Sequence, residues 1–403
     1  MNIVRLMIAL TIAVCTSVDS FGQYNFGYKP NEEATKKYVA SLESANPQFS
    51  KRCNDEESLQ EKEEEFQNYR FEMKCLEDNP ALKAKYMNGG RKVAPNQGSV
   101  GSCTGFGTAG VLNIAFAKFC IDNGIKEWYN PVSESAAYAI GREEGGILGS
   151  GDGGYGSACA KSTQTLGMLV KIPYPTKDLS NYTESDARDL GRNGIGKYNL
   201  KPQALKMVAQ TVIPIKTITE AKVAIKEGMG INVCSQQAFR TQRDVNGICE
   251  ADNSRTWAHS MTIVGYRTVN IGGKLVTLFR IQQSWGNSNP SGPLVGDMGY
   301  GMFDVRESVI ATMLKMGDSF AYGNLKVLEA PKASHTGSYL IIAIIAVIAL
   351  IILFQKALLP IIVLIVLYAA YNGIVSVDNQ MVDDCLNNSV NAIQANLGAL
   401  GLK

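Results

Sequence analysis

Histidine is nearly missing from this chain. Two stand in 403 residues, His259 and His335, beside nine cysteines. No two cysteines are spaced C-x-x-C, so the usual ligand set of a structural zinc site is lacking and no metal or other cofactor is expected. There is no basic run interleaved with aromatics, and the formal net charge is only +2, which sets nucleic acid aside as a partner. Internal repeats and low-complexity tracts are also lacking. What the chain has in quantity is apolar side chain, 45% of residues, unevenly spread over a length suited to two or three folded units.

The two ends carry the longest apolar stretches. MNIVRLMIALTIAVCTSVDSFGQ places Arg5 before an apolar run from Leu6 to Val14 and then small residues, the layout of a secretory signal over 1–22. An uncleaved anchor helix is the rival reading, and Cys15 raises a lipoprotein site that the bulky Val14 disfavours. Near the other end, Tyr339 to Phe354 and Ala357 to Tyr371 are wholly uncharged, interrupted only by Gln355 and Lys356. A core helix is not so long or so uniformly apolar, so 339–371 is expected to meet a lipid bilayer. As one helix it would be about 50 Å long, too long for a single upright crossing of a roughly 30 Å core. A hairpin with Lys356 at its cytoplasmic tip is therefore favoured over one tilted helix. The polar tail 372–403 holds Asp378, Asp383 and Asp384 against Lys403 alone, which suits the non-cytoplasmic side. A short connector, 331–338, precedes the membrane segment.

Between these ends lie two stretches. Residues 23–90 are charge-dense, with a thin apolar set (Phe66, Tyr69, Phe71, Met73), and are expected to form helices lying on another domain. Residues 91–330 are glycine-rich, with helical patterns at Thr104–Asp122, Ser133–Glu144 and Ala158–Val170, followed by alternating runs such as SMTIVGYRTV and KLVTLFRIQQ. Helices first and strands later predict an α+β arrangement. In an exported chain Cys53–Cys75 and Cys234–Cys249 are candidate disulfides, with connectivity left open by sequence.

One cysteine has unusual company. NQGSVGSCTGFG sets Cys103 among small residues at the start of an apolar helix, where exposed backbone N–H groups and the helix dipole favour a thiolate. A thiolate nucleophile needs a base. His335 sits just before the membrane segment, whereas His259 opens an alternating strand in WAHSMTIVGYR.

These stretches, with QQSWGNSNPSGPLVGDMGYGMF after them and VSESAAYAIGREE, GDGGYGSACAKSTQTLGML and TITEAKVAIKEGMGINVCSQQAF between them, resemble the papain family of cysteine peptidases, and its bacterial-type members in the middle. The resemblance covers about 90–320. It implies a papain-like two-subdomain fold, helical in one part and β-barrel-like in the other, acting on peptide or protein substrates. It implies Cys103 as nucleophile, His259 as proton shuttle and Gln97 as a side-chain donor to the oxyanion. It further implies that Gly153, Gly154, Ala258 and Trp285 border the substrate, the two glycines leaving bare backbone for a peptide to pair with.

The chain departs from the family pattern twice. Val100 stands where a disulfide cysteine is usual, and Gly151 or Asp152 stands at its partner's place. Gln283 replaces the asparagine that orients the histidine, one methylene longer but with the same amide oxygen. The expectation is a membrane-tethered peptidase outside the cytoplasm, the alternative being a papain-like domain kept as an inactive binding or structural module. Residues 23–90 are then either a propeptide or a permanent N-terminal layer.

Overall fold

The computed structural model describes residues 27–43, 47–59 and 61–333. The signal segment, the membrane segment, His335 and the tail fall outside the described residues. Apolar alternation in SMTIVGYRTV and KLVTLFRIQ builds two adjacent strands of one antiparallel sheet. Its strands are β1 (Glu64–Gln67), β2 (Met207–Pro214), β3 (Gly230–Phe239), β4 (Ala251–Ile271), β5 (Lys274–Gln282), β6 (Met302–Arg306) and β7 (Phe320–Val327). Their order is β6-β5-β4-β3-β7-β2, with β1 pairing the far end of β4. The path is open at β6 and β2, so among the described residues there is no closed barrel, and the barrel-like expectation is corrected to an open antiparallel sheet. The 21-residue β4 makes this possible: β3 occupies one edge as far as Ile263, and β1 takes up the same edge from Gly265.

The longer helices are α1 (Glu32–Glu43), α2 (Pro47–Glu57), α3 (Tyr69–Asp78), α4 (Cys103–Asp122), α5 (Glu134–Glu144), α6 (Gly156–Thr165), α7 (Glu184–Asn193), α8 (Ile218–Lys226) and α9 (Glu307–Leu314). Caps fix several starts: Ser133 accepts from the Ala136 N–H, and Thr217 forms a capping box with Glu220. Helix α6 is shorter than its apolar pattern predicts. It ends at Thr165 because Gly167 turns with a φ of 82°. The N-terminal region is not purely helical as expected. Its EEFQ segment becomes β1, with Phe66 packed against the Tyr266 ring.

Helix α4 is long and apolar enough to cross a bilayer, yet 78% of its apolar window is buried among protein. It is the central core helix. Gly107 lets it lie directly on the sheet, since a Cβ there would collide with Ser260 Oγ and Asn232 Oδ1. One core lies on the strand side around Ile231, Phe239, Ile263, Phe279 and Phe303; a second lies on the helical side around Val111, Phe116, Met168, Phe320 and Tyr322. Each such side chain contributes roughly 2–3 kcal/mol by leaving water.

The disulfide candidates are corrected. All seven cysteines among the described residues are free. Cys53 packs against the strand-side core while Cys75 lies in the helical core, and Cys234 lines the cleft while Cys249 lies in the strand-side core.

Candidate active site

Cys103 is the first residue of α4, after Ser102 at the cap position. Its sulfur receives backbone N–H groups from Ser260, Gly27 and Thr104. Ser260 follows His259 in the chain, so the helix start abuts the strand that carries the histidine. Polar ties hold the two together. Asn232 on β3 accepts from Ser260 Oγ at 2.6 Å and donates to Thr108 Oγ1 at 3.1 Å, and Thr262 donates to the Gly107 carbonyl at 3.1 Å.

His259 is fully buried on β4, opposite Ser235 of β3. Its ring stacks on Trp285, centroids 4.5 Å apart and 28° between planes, and Trp285 meets Trp257 edge-on at 4.8 Å. Neither ring nitrogen has a hydrogen-bond partner. Burial drives the imidazole down to about 3, and burial drives the Cys103 thiol up to about 12 against the three N–H groups. In this conformation the pair is neutral. The thiolate expected from the helix start alone is therefore overridden by desolvation.

Gln97 is wholly buried in the loop before α4. Its Oε1 accepts from Ser284 Oγ at 2.6 Å, its Nε2 donates to the Val100 carbonyl at 2.9 Å, and its backbone N–H donates to the Ser284 carbonyl at 2.9 Å. The Val100 carbonyl, which can only accept, fixes that end of the amide as nitrogen. Gln283 follows β5. Its Nε2 donates to the Asn289 carbonyl, and its buried Oε1 has no partner. A bare acceptor at Gln283 and a bare Nδ1 at His259 each cost about 1–3 kcal/mol if left unmet.

Three of the four substrate-border residues, Gly153, Gly154 and Ala258, are covered by the chain itself, with Gly27–Lys29 running between them as an extra short strand, while Trp285 stacks on His259. The Gly154 N–H donates to the Gly27 carbonyl at 2.8 Å, the Lys29 N–H to the Gly154 carbonyl at 2.7 Å, and the Tyr28 N–H to the Ala258 carbonyl at 3.0 Å. Gly153 sits at φ 100°, and a Cβ there would come within 2.8 Å of the Gly27 carbonyl oxygen. Tyr138 and Arg142 of α5 brace the glycine pair: Tyr138 Oη accepts from the Gly153 N–H at 2.8 Å, and Arg142 donates to the Gly153 carbonyl. Gly27 presents an N–H to the sulfur, so the segment covers the nucleophile.

Sequence reasoning missed this segment. It also missed Asp318, which lies 2% exposed at the start of α6 and accepts from the Gly156 and Ser157 N–H groups at 2.7 and 2.6 Å. No local signal marks either one, since GYK and GDS are ordinary loop tripeptides.

No family model matches the chain, and no curated protein matches it. Among solved structures it is similar to xylellain, a cysteine protease from Xylella fastidiosa, with 14% identity, 74% of this chain and 91% of that chain covered, and a TM-score of 0.43. The proform of the ragweed pollen cysteine protease Amb a 11 gives 16% identity over 67% of this chain and 68% of that one, TM-score 0.41. Procathepsin B S9 from Trypanosoma congolense gives 12% identity over 67% and 80%, TM-score 0.41. At scores this low the likeness bears no weight, and the functional reading rests on the residues of this chain.

Proposed function

We propose that the protein is a papain-like cysteine peptidase in a self-covered state. The observation that carries the reading is the Cys103 sulfur at a helix start, against the strand of His259, with backbone-pairing glycines beside it that already hold a peptide segment. Once the cleft is cleared and rewetted, the desolvation that keeps both groups neutral is relieved, and the proton passes from Cys103 to His259. The thiolate attacks the scissile carbonyl carbon. The oxyanion is met by Gln97 Nε2 and the Cys103 N–H, His259 gives its proton to the leaving amine, and water then frees the acyl group from sulfur. Gln283 turns its bare Oε1 to His259 Nδ1, which satisfies both atoms and orients the ring. Export through 1–22 and tethering through 339–371 would hold this domain at a bilayer outside the cytoplasm.

The test is labelling by a peptidyl epoxide, with the adduct located by mass spectrometry in the full chain and in Tyr28→Ala. The expected result is an adduct on Cys103, faster in the variant. Labelling of other cysteines while Cys103 stays bare in both proteins overturns the enzyme reading in favour of a binding module.

A further inference from the structure

The loop that carries Gln97 into Cys103 and the loop that carries the glycine pair have no disulfide between them, yet both are held by one helix. Tyr182, just before α7, donates its hydroxyl proton to the Gln97 carbonyl at 2.9 Å and lies 3.0 Å from Ser102 Oγ. A carbonyl can only accept and a phenol has one proton, so Ser102 donates to Tyr182 and Tyr182 donates to Gln97. One hydroxyl thus ties the two ends of the loop together, beside Cys103. Its ring meets Phe106 of α4 edge-on at 4.8 Å. Glu184, the first residue of α7, accepts from the Ser99 N–H at 3.1 Å and from Ser99 Oγ. Gly98 turns there at a φ of 59°, where a Cβ would collide with the Glu184 carboxylate. Arg188, one turn on, donates to the Ser99 carbonyl at 3.3 Å and to Asp152 Oδ2 at 3.1 Å. The same Asp152 oxygen accepts from the Gly101 N–H at 3.2 Å.

We propose that Tyr182 is a positioning residue for the oxyanion donors, and that Glu184, Arg188 and Asp152 fasten its loop to the glycine loop where the bridge is missing. The inference rests on the peptidase reading for what the held loop does. The physical case is one of constraint. Gln97 Nε2 and the Cys103 N–H must converge on one oxygen, and the backbone between them contains Gly98 and Gly101, which leave it free to bend. Magnitudes decide which tie matters most. The Arg188–Asp152 pair is 45% and 27% exposed and has only the small effect of a surface ion pair. The Tyr182 hydroxyl makes two bonds in a part-buried position, and without it the Gln97 carbonyl loses its donor.

The experiment compares a fluorescent peptidyl aldehyde with the matching amide by anisotropy, in the full chain carrying Tyr28→Ala, with and without Tyr182→Phe. The aldehyde adds reversibly to Cys103: sulfur bonds to the carbonyl carbon, the C=O π bond breaks, and the thiol proton ends on the oxygen. Only the aldehyde loads the oxyanion donors, so the ratio of aldehyde to amide affinity reads their position. Tyr182→Phe should lower this ratio about three- to tenfold while amide affinity stays within about twofold. Arg188→Gln should lower it by only about two- to threefold. An unchanged ratio in Tyr182→Phe overturns the proposal, and so does a parallel loss of amide and aldehyde binding, the mark of a structural role alone. A larger loss from Arg188→Gln than from Tyr182→Phe overturns the assignment of the hydroxyl as the main tie. An aldehyde that gains nothing over the amide while Tyr182 is intact overturns the peptidase reading, and the proposal with it. The cost of displacing Gly27–Lys29 cancels in the ratio, so the same comparison with Tyr28 in place supplies an independent arm with the same expected and overturning results.

Discussion

The dry imidazole at the centre of the site makes a prediction about acid stability. His259 falls from an ordinary 6.5 to about 3 because burial disfavours its charged form. Between those values the unfolded chain binds a proton that the folded chain refuses, so stability is lost as pH falls through 6.5 towards 3. Each unit is about 1.4 kcal/mol, giving a loss of about 3 kcal/mol by pH 4.5 and a ceiling of about 5 kcal/mol near pH 3. Other groups titrate across the same range, so the quantity to read is a difference. Urea unfolding of the full chain in detergent, followed by tryptophan fluorescence, is compared with His259→Gln from pH 7 to 4. The variant should lack this component, and the stability gap between the two proteins should change by about 3 kcal/mol over that interval. In Tyr28→Ala the slope should shrink, because water reaches the ring once the covering segment loosens. A gap that stays constant from pH 7 to 4.5 would refute the argument that desolvation holds His259 neutral.

Three further perturbations follow from the geometry. Gly153→Ala forces a side chain into a φ of 100° and against the Gly27 carbonyl, so thermal unfolding should show a loss of about 1–3 kcal/mol. Asp304→Asn removes the carboxylate whose two oxygens both bond Arg280, itself 2% exposed, and leaves that guanidinium with Asp297 at 3.6 Å; denaturant titration should show a cost of about 3 kcal/mol. A chain begun at Lys92 loses β1, the buried Tyr69 and the Glu72 partner of Lys92, so circular dichroism should show no cooperative melt, whereas a chain begun at residue 61 should keep one.

Much of the site was legible because its chemistry is local. The small residues around Cys103 and the alternation after His259 are short-range signals; the structure starts α4 at Cys103, but His259 lies inside β4, which already begins at Ala251. The open sheet was not legible, since closure depends on whether β6 and β2 meet, a long-range matter that alternation within a strand does not encode. The neutral state of the pair was hidden for the same reason. A helix start is read from a dozen residues, but burial of the thiol comes from side chains far away in sequence, Tyr28 and Cys234 among them. EEFQ looked like one more charged helical stretch, and only pairing with Gly265 and its neighbours makes it a strand. The cysteines misled because spacing in sequence says nothing about which core each thiol enters.

The account's central claim is that Cys103 and His259 become a thiolate–imidazolium pair when the cleft is cleared. The direct measurement is the rate of Cys103 alkylation by iodoacetamide against pH in Tyr28→Ala, with and without His259→Gln. A working pair predicts a rate that is already high below pH 7, and an inflection that moves up to the ordinary thiol range near about 8.5 when His259 is removed. A single inflection at or above about 8.5 in both proteins would contradict the claim, because it would mean that Cys103 never shares its proton with His259.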